Sequence, residues 1–201
     1  MANTRAIWRH EKREANEISR ILIQNRAVKF SWRVVLVPLF LMDIIHYRHR
    51  LRVLRKNILY TRRLAFDAAQ NIIEGEERGW QVRRIEIKTR EALDRDKSGQ
   101  YTEKIRRKQL GEIEPLITHY VDLINTGKSA YPEMIKALYP SRSQYLNFLN
   151  RIRKLEEEVI QASITTTRKG TKKERRQWFD RVRAVTRDAR MSDIDSIYEE
   201  Q

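Results

Sequence analysis

Apolar residues recur at three- and four-residue spacing along most of this 201-residue chain. This spacing places apolar side chains on one face of an α-helix, whereas a half-buried strand alternates polar and apolar residues. The chain also contains only 6 Gly and 4 Pro, which leaves few residues for the turns of an all-β fold. The sequence therefore predicts an all-α protein, folded as a helical bundle.

Breaks in this pattern divide the chain into predicted helices. Residues 84–88 alternate like a strand, but Val82, Ile85 and Leu93 have helical spacing, so we expect a helix there. Ser192 and Asp195 have the spacing of a capping box, which predicts a separate short turn near the C-terminus. The predicted helices cover about residues 4–27, 48–74, 80–94, 101–125, 132–138, 141–164 and 174–190.

The most regular apolar pattern lies in residues 141–164, where it follows the a and d positions of a heptad. A seam of this coiled-coil type packs against another helix, in this chain or in a second copy. We expect it to bind a protein partner or to mediate self-association. The seam residues are Tyr145, Phe148, Ile152, Leu155 and Val159.

Positive charge is concentrated in the N-terminal third of the chain. Residues 1–63 contain 15 Lys and Arg against four acids, so they hold 11 of the 15 net positive charges. Such a field attracts polyanions, which in a cell are mainly nucleic acids and anionic lipid surfaces. Charge alone does not distinguish between these two partners.

One uninterrupted apolar run, residues 34–45, lies between two basic stretches. It is shorter than the roughly 20 residues that a membrane-spanning helix needs, and it contains Pro38 and Asp43. Because both flanks are basic, we expect both ends on the same side of a membrane, with the segment wedged into the interface or lying in it. The alternative is a core helix, since many helical bundles contain an apolar helix of this length.

Side chains in and around this run are the predicted membrane contacts. Aromatic rings at its two ends suit the headgroup zone, and the flanking cations suit anionic headgroups. The predicted membrane contacts are Trp32, Val35, Leu36, Pro38, Leu39, Phe40, Ile44 and Tyr47. The predicted contacts to an anionic surface are Lys29, Arg33, Arg48, Arg50, Arg52, Arg55 and Lys56.

A combination of motifs in about the first 75 residues carries a resemblance. It consists of Trp32, the run Val35-Leu-Val-Pro-Leu-Phe40, a basic stretch, and Asn57-Ile-Leu-Tyr-Thr-Arg-Arg-Leu-Ala-Phe-Asp-Ala-Ala69. In these residues the chain resembles a family of uncharacterised bacterial helical proteins with a short apolar, proline-containing segment near the N-terminus. The resemblance implies no activity and no functional residues.

Residues with catalytic or metal-binding chemistry are few and scattered. The chain has no cysteine, which excludes disulfides and thiolate metal sites and favours a cytoplasmic location. Asp43, His46 and His49 share a helix face, but neighbouring arginines oppose a metal ion there. We interpret His119 as a hydrogen-bonded core histidine and His10 as part of a solvated, charged stretch.

No catalytic set emerges from the remaining residues. The run 156–158, three glutamates, is most simply a solvated helix face. No glycine pattern matches a phosphate-binding loop. The sequence thus identifies no catalytic residue, no metal site, no cofactor and no small-molecule substrate, and we expect a non-enzymatic protein.

Together these features predict three regions and one function. A basic N-terminal helical arm, residues 1–77, carries the short apolar segment 30–47; a helical bundle covers residues 80–190; an acidic tail covers residues 191–201. We expect an adaptor or scaffold that is attached to the cytoplasmic leaflet, at the inner face of the membrane, by the apolar segment and its basic flanks. The alternative is a soluble helical protein that binds nucleic acid through the same basic third.

Overall fold

The computed structural model describes residues 2–24, 37–97, 99, 101–166 and 171–199, and this part of the chain is helical apart from short connections. The predicted all-α fold is confirmed. The described helices are α1 (Ala2–Gln24), α2 (Val37–Ile73), α3 (Arg78–Arg95), α4 (Glu103–Asn125), α5 (Tyr131–Leu138), α6 (Arg142–Thr166) and α7 (Lys172–Tyr198).

α2 is the longest of these helices and contains most of the apolar run. Its 37 residues extend over about 55 Å at roughly 1.5 Å per residue. Pro38 lies in the first described turn, where proline is tolerated because its missing N–H is not needed. No helix in the described part of the chain combines the length and the apolarity that a membrane crossing requires.

α7 is longer than the sequence predicts. It continues without a break to Tyr198, so the predicted capping box at Ser192 and the separate turn are wrong. The helix continues because Ile194 and Ile197 are buried in the core and hold its last turns in place. The true capping box is at the other end, where Thr171 accepts from the backbone N–H of Glu174 and the Glu174 carboxylate accepts from that of Thr171.

Every described helix contributes to one main core, whose centre is α4, packed between α2 and α6. Tyr120 of α4 contacts Phe66 of α2 edge to face, with 5.5 Å between the ring centroids. Ile7 of α1 and Ile194 of α7 are fully buried in the same core. The described parts of residues 1–77 and 191–201 are therefore components of the bundle and do not form the separate arm and tail that the sequence predicts.

α1 lies antiparallel to α2. Near the beginning of α1, Trp8 stacks on Phe66 with 5.4 Å between the ring centroids. Further along α1, Asn16 accepts a hydrogen bond from Arg55 at 3.0 Å. Residue numbers thus rise along α1 as they fall along α2, which places the C-terminal end of α1 beside the N-terminal half of α2.

α7 lies antiparallel to α1 on another side. His10 pairs with Asp193 at 3.0 Å, and Glu14 accepts from Arg190 at 3.3 Å. The C-terminal end of α1 therefore also contacts the N-terminal half of α7. A second, smaller core forms where these three helices meet, from Ile18, Leu22, Leu54, Ile58, Trp178, Val182, Val185 and Ala189.

Candidate functional site

Exposed cations from three helices lie at one end of the bundle, which we call the basic end. It is formed by the C-terminal end of α1 and the N-terminal halves of α2 and α7, which pack together around the second core. None of its exposed cations forms an ion pair with a described carboxylate, so their charge faces solvent. These cations are Arg20, Arg52, Lys56, Lys173 and Arg176.

Acidic residues collect at the opposite end of the bundle. They come from the C-terminal half of α7 and from the turn after α2. The C-terminal half of α7 contributes Asp188, Asp193, Asp195 and Glu199, and the turn after α2 contributes Glu74, Glu76 and Glu77. Several of these acids are paired with cations of the same end: Asp188 with Arg187, Asp193 with Arg13, Asp195 with Arg142 and Glu76 with Arg84.

The N-terminal part of α2 extends past the described end of α1. The contacts of Asn16 with Arg55 and of Trp8 with Phe66 set the register of these antiparallel helices, so Gln24 lies near the level of residues 47–50. The part of α2 that begins at Val37 continues the helix by roughly 15–20 Å beyond this level, at about 1.5 Å per residue. The described part of the apolar run is thus at the basic end.

The structure describes few side chains of the predicted membrane-binding set. Lys29, Trp32, Arg33, Val35 and Leu36 lie outside the described residues. Pro38, Leu39, Phe40, Ile44, Tyr47, Arg48 and Arg50 belong to α2, but their side chains are not described. Arg52 and Lys56 are exposed, whereas Arg55 is half-buried and bonds to Asn16.

The predicted seam of α6 packs mainly against α4 of the same chain. Tyr145 and Ile152 are buried in the main core. Phe148 stacks on His119 with 4.2 Å between the ring centroids. Leu155 and Val159 are half-buried, and an external partner at this seam stays a prediction.

A set of buried ionised side chains, which we call the charge network, joins α1, α2, α6 and α7. Arg62 donates to Glu11 and to Glu14, the latter at 2.5 Å. Arg190 donates to both carboxylate oxygens of Glu156, at 2.5 and 2.8 Å, and to Glu14 at 3.3 Å. Because a buried charge is strongly destabilising unless it is paired, the network fixes the relative positions of four helices.

Two carboxyl groups at the charge network have pKa values displaced in opposite directions. Burial raises the pKa of Glu14, but the guanidiniums of Arg62 and Arg190 outweigh burial and hold the pKa well below its ordinary value. Burial, together with the nearby charge of Glu156, raises the pKa of Glu112 to about 8. Near pH 7, Glu14 is therefore ionised and Glu112 is protonated.

Two more side chains connect the charge network to the core. Tyr120 donates to Glu11 at 2.7 Å. His10 is 3.0 Å from both oxygens of Asp193 and stacks on Tyr131, with 3.7 Å between the ring centroids. The interpretation of His10 as solvated is wrong, because these contacts leave it only 6% exposed.

The three consecutive glutamates of α6 have different environments. Glu158 is exposed and pairs with Lys108 at 2.7 Å. Glu156 is turned inward and accepts both hydrogen bonds from Arg190. The interpretation of this run as a solvated face is therefore wrong for Glu156, because its carboxylate is the ion-pair partner of the buried guanidinium of Arg190.

The charge network is not predicted by any local sequence pattern, although α1 contains a signal of it. Glu11 occupies a position in the apolar series that includes Ile7, Ala15 and Ile18, and all four residues are buried. A charged residue on an apolar stripe needs a buried partner of opposite charge. The partner, Arg62, could not be identified, since it depends on the register between two helices.

A cavity of about 450 Å³ opens beside the charge network, between α1, α2, α4, α6 and α7. Its polar lining includes Arg62, Glu112, Glu156 and Arg190. The rest of its lining combines aliphatic side chains, including Ile18, Ile58, Leu146, Leu149, Ile160 and Ile194, with further polar ones, among them Arg153, Glu157, Arg183 and Arg187.

His119 matches its interpretation as a core histidine. Its Nδ1 lies 3.0 Å from the hydroxyl of Tyr139. Burial and, to a smaller extent, Arg62 lower its pKa to about 3, so it is neutral at physiological pH. Within the described residues, no group of three or more His, Asp or Glu side chains could hold a metal ion.

Comparisons of the chain with models of protein families, with curated proteins and with solved structures found no match.

Proposed function

We propose that this protein is a non-enzymatic adaptor or scaffold that docks its basic end on the anionic inner leaflet of a membrane. The observation that carries the proposal is the position of the basic end. The topology brings exposed, unpaired cations of α1, α2 and α7 to the end from which the apolar start of α2 extends. Charge and apolar surface can therefore act on one membrane at the same time.

Electrostatic attraction supplies the first part of the binding. A cation close to an anionic lipid surface contributes about 1 kcal/mol, and the effect decays within roughly 10 Å at 0.1 M salt. Arg52, Lys56 and Arg176 are exposed and unpaired among the described residues, so binding does not require any internal ion pair to break. The position of these cations at one end of the bundle, beside the apolar start of α2, orients the molecule on the surface.

Apolar contact supplies the second part. Burial of apolar surface contributes about 25 cal/mol per Å² removed from water. The run that contains Leu39 and Phe40 would enter the boundary between headgroups and acyl chains while its basic flanks remain among the headgroups. The acidic end then faces the cytoplasm, where a protein partner can reach it.

Flotation of the purified, nuclease-treated protein with vesicles tests the proposal. The vesicles contain phosphatidylcholine alone or phosphatidylcholine with phosphatidylserine. We expect flotation only with the anionic vesicles at low salt, and partial retention at high salt through the apolar segment. Replacing Arg52, Lys56 and Arg176 with Gln should weaken partitioning on the order of 100-fold, since three contributions of about 1 kcal/mol are removed.

A matched variant controls for the loss of net charge. It carries Arg5→Gln, Arg83→Gln and Lys128→Gln, three exposed cations away from the basic end. We expect this variant to float like the wild type. Equal losses in the two variants would contradict docking through the basic end.

Two further results would contradict the proposal in different ways. If Leu39→Asp unfolds the protein, as measured by circular dichroism, then the apolar run is a core element. If the protein binds duplex DNA or RNA with a steep salt dependence but does not bind anionic vesicles, then the polyanion is nucleic acid.

A further inference from the structure

The cavity beside the charge network is long and narrow. Its lining runs along α6 from Leu146 to Ile160 and along α7 from Val182 to Ile194, which corresponds to roughly 18–21 Å at about 1.5 Å per residue. A volume of about 450 Å³ over roughly 18 Å leaves a mean cross-section of about 25 Å². The cavity therefore has the width of a single hydrocarbon chain and is too narrow for a helix of another protein, whose diameter is about 10–12 Å.

Aliphatic side chains line the cavity along its whole length. An apolar chain placed between them removes both their surface and its own from water, and this burial favours binding. The aliphatic lining residues come from α1, α2, α6 and α7 and are Ile18, Ile58, Leu146, Leu149, Val159, Ile160, Val182 and Ile194.

The described lining contains more cationic than anionic groups near pH 7. Its carboxyl groups are Glu112, Glu156 and Glu157, and it has five arginines. Glu112 adds no negative charge, because burial and the nearby Glu156 raise its pKa to about 8. Two of the arginines, Arg62 and Arg190, are neutralised inside the charge network. The cations that remain for a ligand are Arg153, Arg183 and Arg187.

These three arginines lie at the solvent side of the cavity, and each is near a carboxylate. All the side chains in these pairs are at least 30% exposed. Ion pairs between exposed side chains contribute little to stability, and a guanidinium has five N–H donors, so each arginine can bind a second carboxylate. The pairs are Arg183 with Asp180 at 3.0 Å, Arg187 with Asp188 at 2.9 Å and Arg153 with Glu157 at 3.9 Å.

Arg183 has a donor that the described residues do not satisfy. Its Nη1 donates to Asp180, whereas its Nε is buried and has no hydrogen-bond partner among the described residues. Most buried polar groups in proteins are paired, since an unpaired one is destabilising. An oxygen acceptor of a ligand would satisfy this donor, whereas an ammonium group has only donors and would not.

We propose that this cavity binds a single-chain amphiphile with a carboxylate headgroup, that is, a fatty acid. The carboxylate accepts from Arg183 Nε and lies beside Arg187 at the solvent side. The hydrocarbon chain extends between α6 and α7 toward Leu149 and Ile194. This site is separate from the basic end and does not depend on membrane binding.

Calorimetric titration with three ten-carbon probes tests the proposal. Decanoate, 1-decanol and decylammonium share one chain and differ in the charge of the headgroup, and all are used below the concentrations at which they form micelles or separate. We expect saturable 1:1 binding of decanoate. We expect 1-decanol and decylammonium to bind at least 10-fold more weakly, because neither supplies a carboxylate for the arginines.

Arg183→Met tests the headgroup position, since it removes the guanidinium but keeps an apolar stem. We expect its affinity for decanoate to fall at least 10-fold and its affinity for 1-decanol to be unchanged, so the preference for the acid is lost. Arg181→Met makes the same change on the same helix at a residue outside the cavity lining. It should bind decanoate like the wild type.

Ile160→Trp tests the chain position, since the larger ring fills the cavity between α6 and α7. We expect it to abolish the binding of both decanoate and 1-decanol. Gln161→Trp places the same ring on the exposed side of α6 and should leave both affinities unchanged. Circular dichroism of each variant checks that the helices are retained.

The variant with Arg52, Lys56 and Arg176 replaced by Gln separates this site from the basic end. It should bind decanoate like the wild type, even where it no longer binds anionic vesicles. The proposal is overturned if decanoate does not bind, if decylammonium binds as tightly as decanoate, or if Arg183→Met binds decanoate like the wild type. Loss of decanoate binding in the basic-end variant would also overturn it, because the acid would then bind at the basic end.

Discussion

Arg62 is the central cation of the buried charge network. Its side chain is 9% exposed, and its guanidinium pairs with two carboxylates of α1, Glu11 and Glu14. Burial alone lowers the pKa of Arg62, but these carboxylates raise it well above its ordinary value, so the side chain is always charged. Taking away one member of such a group leaves the others buried and uncompensated.

Replacing Arg62 with Met is therefore expected to destabilise the fold strongly. The change retains an apolar stem but leaves Glu11 and Glu14 without their main partner, which costs about 3–5 kcal/mol at pH 7. Urea unfolding measures the difference. The neighbouring change Arg63→Met removes an exposed cation that pairs with Asp67, so its cost should stay within about 1 kcal/mol; equal effects of both changes would show that the charge network does not stabilise the fold.

These two carboxyl groups should give the pH dependence of stability a maximum near pH 4.5. The folded pKa of Glu14 lies below its unfolded value of about 4.5, so its contribution is complete above pH 4.5 and is lost as the pH falls further. The folded pKa of Glu112, about 8, lies above its unfolded value. Its contribution is therefore complete below pH 4.5 and is lost as the pH rises to 8.

Glu112→Gln isolates the alkaline half of this profile. Without a titrating group at position 112, the variant should lose less stability between pH 5 and 8, by up to about 1.4 kcal/mol per pH unit. The exposed change Glu114→Gln should follow the wild type. Parallel profiles of wild type and Glu112→Gln in urea unfolding would mean that Glu112 is ionised in the folded state.

Sequence alone reveals that a buried charge exists but not how it is paired. Glu11 and Arg62 both lie on apolar stripes of their helices, and the two are 51 residues apart in the chain. The pairing depends on the register and rotation of α1 against α2, which no local pattern encodes. For the same reason His10 was assigned to solvent, although Tyr131 and Asp193 cover it.

At the scale of elements, local patterns identified the helices well and their ends less well. α3 forms despite the strand-like alternation of residues 84–88, because Gln81, Ile85 and Thr89 have helical spacing and are buried together. The C-terminal end of α7 was mispredicted because a capping box also fits the interior of a helix. Burial of Ile194 and Ile197 in the core is a tertiary effect, and it favours a continuous helix over a helix end followed by a separate turn.

Two substitutions distinguish the true cap of α7 from the apparent one. Thr171→Ala removes a side chain that accepts from the backbone N–H of Glu174, and it should lower the stability by about 1 kcal/mol. Ser192→Ala changes an exposed residue inside the helix and should be neutral or stabilising by a few tenths of a kcal/mol. Thermal unfolding measures both, and the opposite order would place a helix end at Ser192.

At the scale of the whole molecule, the charge asymmetry along the sequence becomes an asymmetry in space. The sequence placed most of the positive charge in residues 1–63 but could not place α7 beside them. Packing around Leu22 and Val182 brings the basic start of α7 to the start of α2. The same antiparallel arrangement sends Asp195 and Glu199 to the other end.

The position of the basic end predicts that the molecule stands on this end when it binds a membrane. The chain has no cysteine, so a single introduced cysteine carries a unique spin label. Gln177→Cys is at the basic end, and Lys128→Cys is exposed near the C-terminal end of α4. The two sites are separated by about the length of α7, roughly 30 Å or more at 1.5 Å per residue.

Nickel-chelating lipids in anionic vesicles should therefore relax a label at Gln177 strongly and a label at Lys128 weakly. Both labels should be equally accessible to a water-soluble nickel chelate in the absence of vesicles, since both residues are exposed. Equal relaxation of the two labels on vesicles would mean that the bundle lies flat. Attraction through the cations of the basic end would then no longer explain binding.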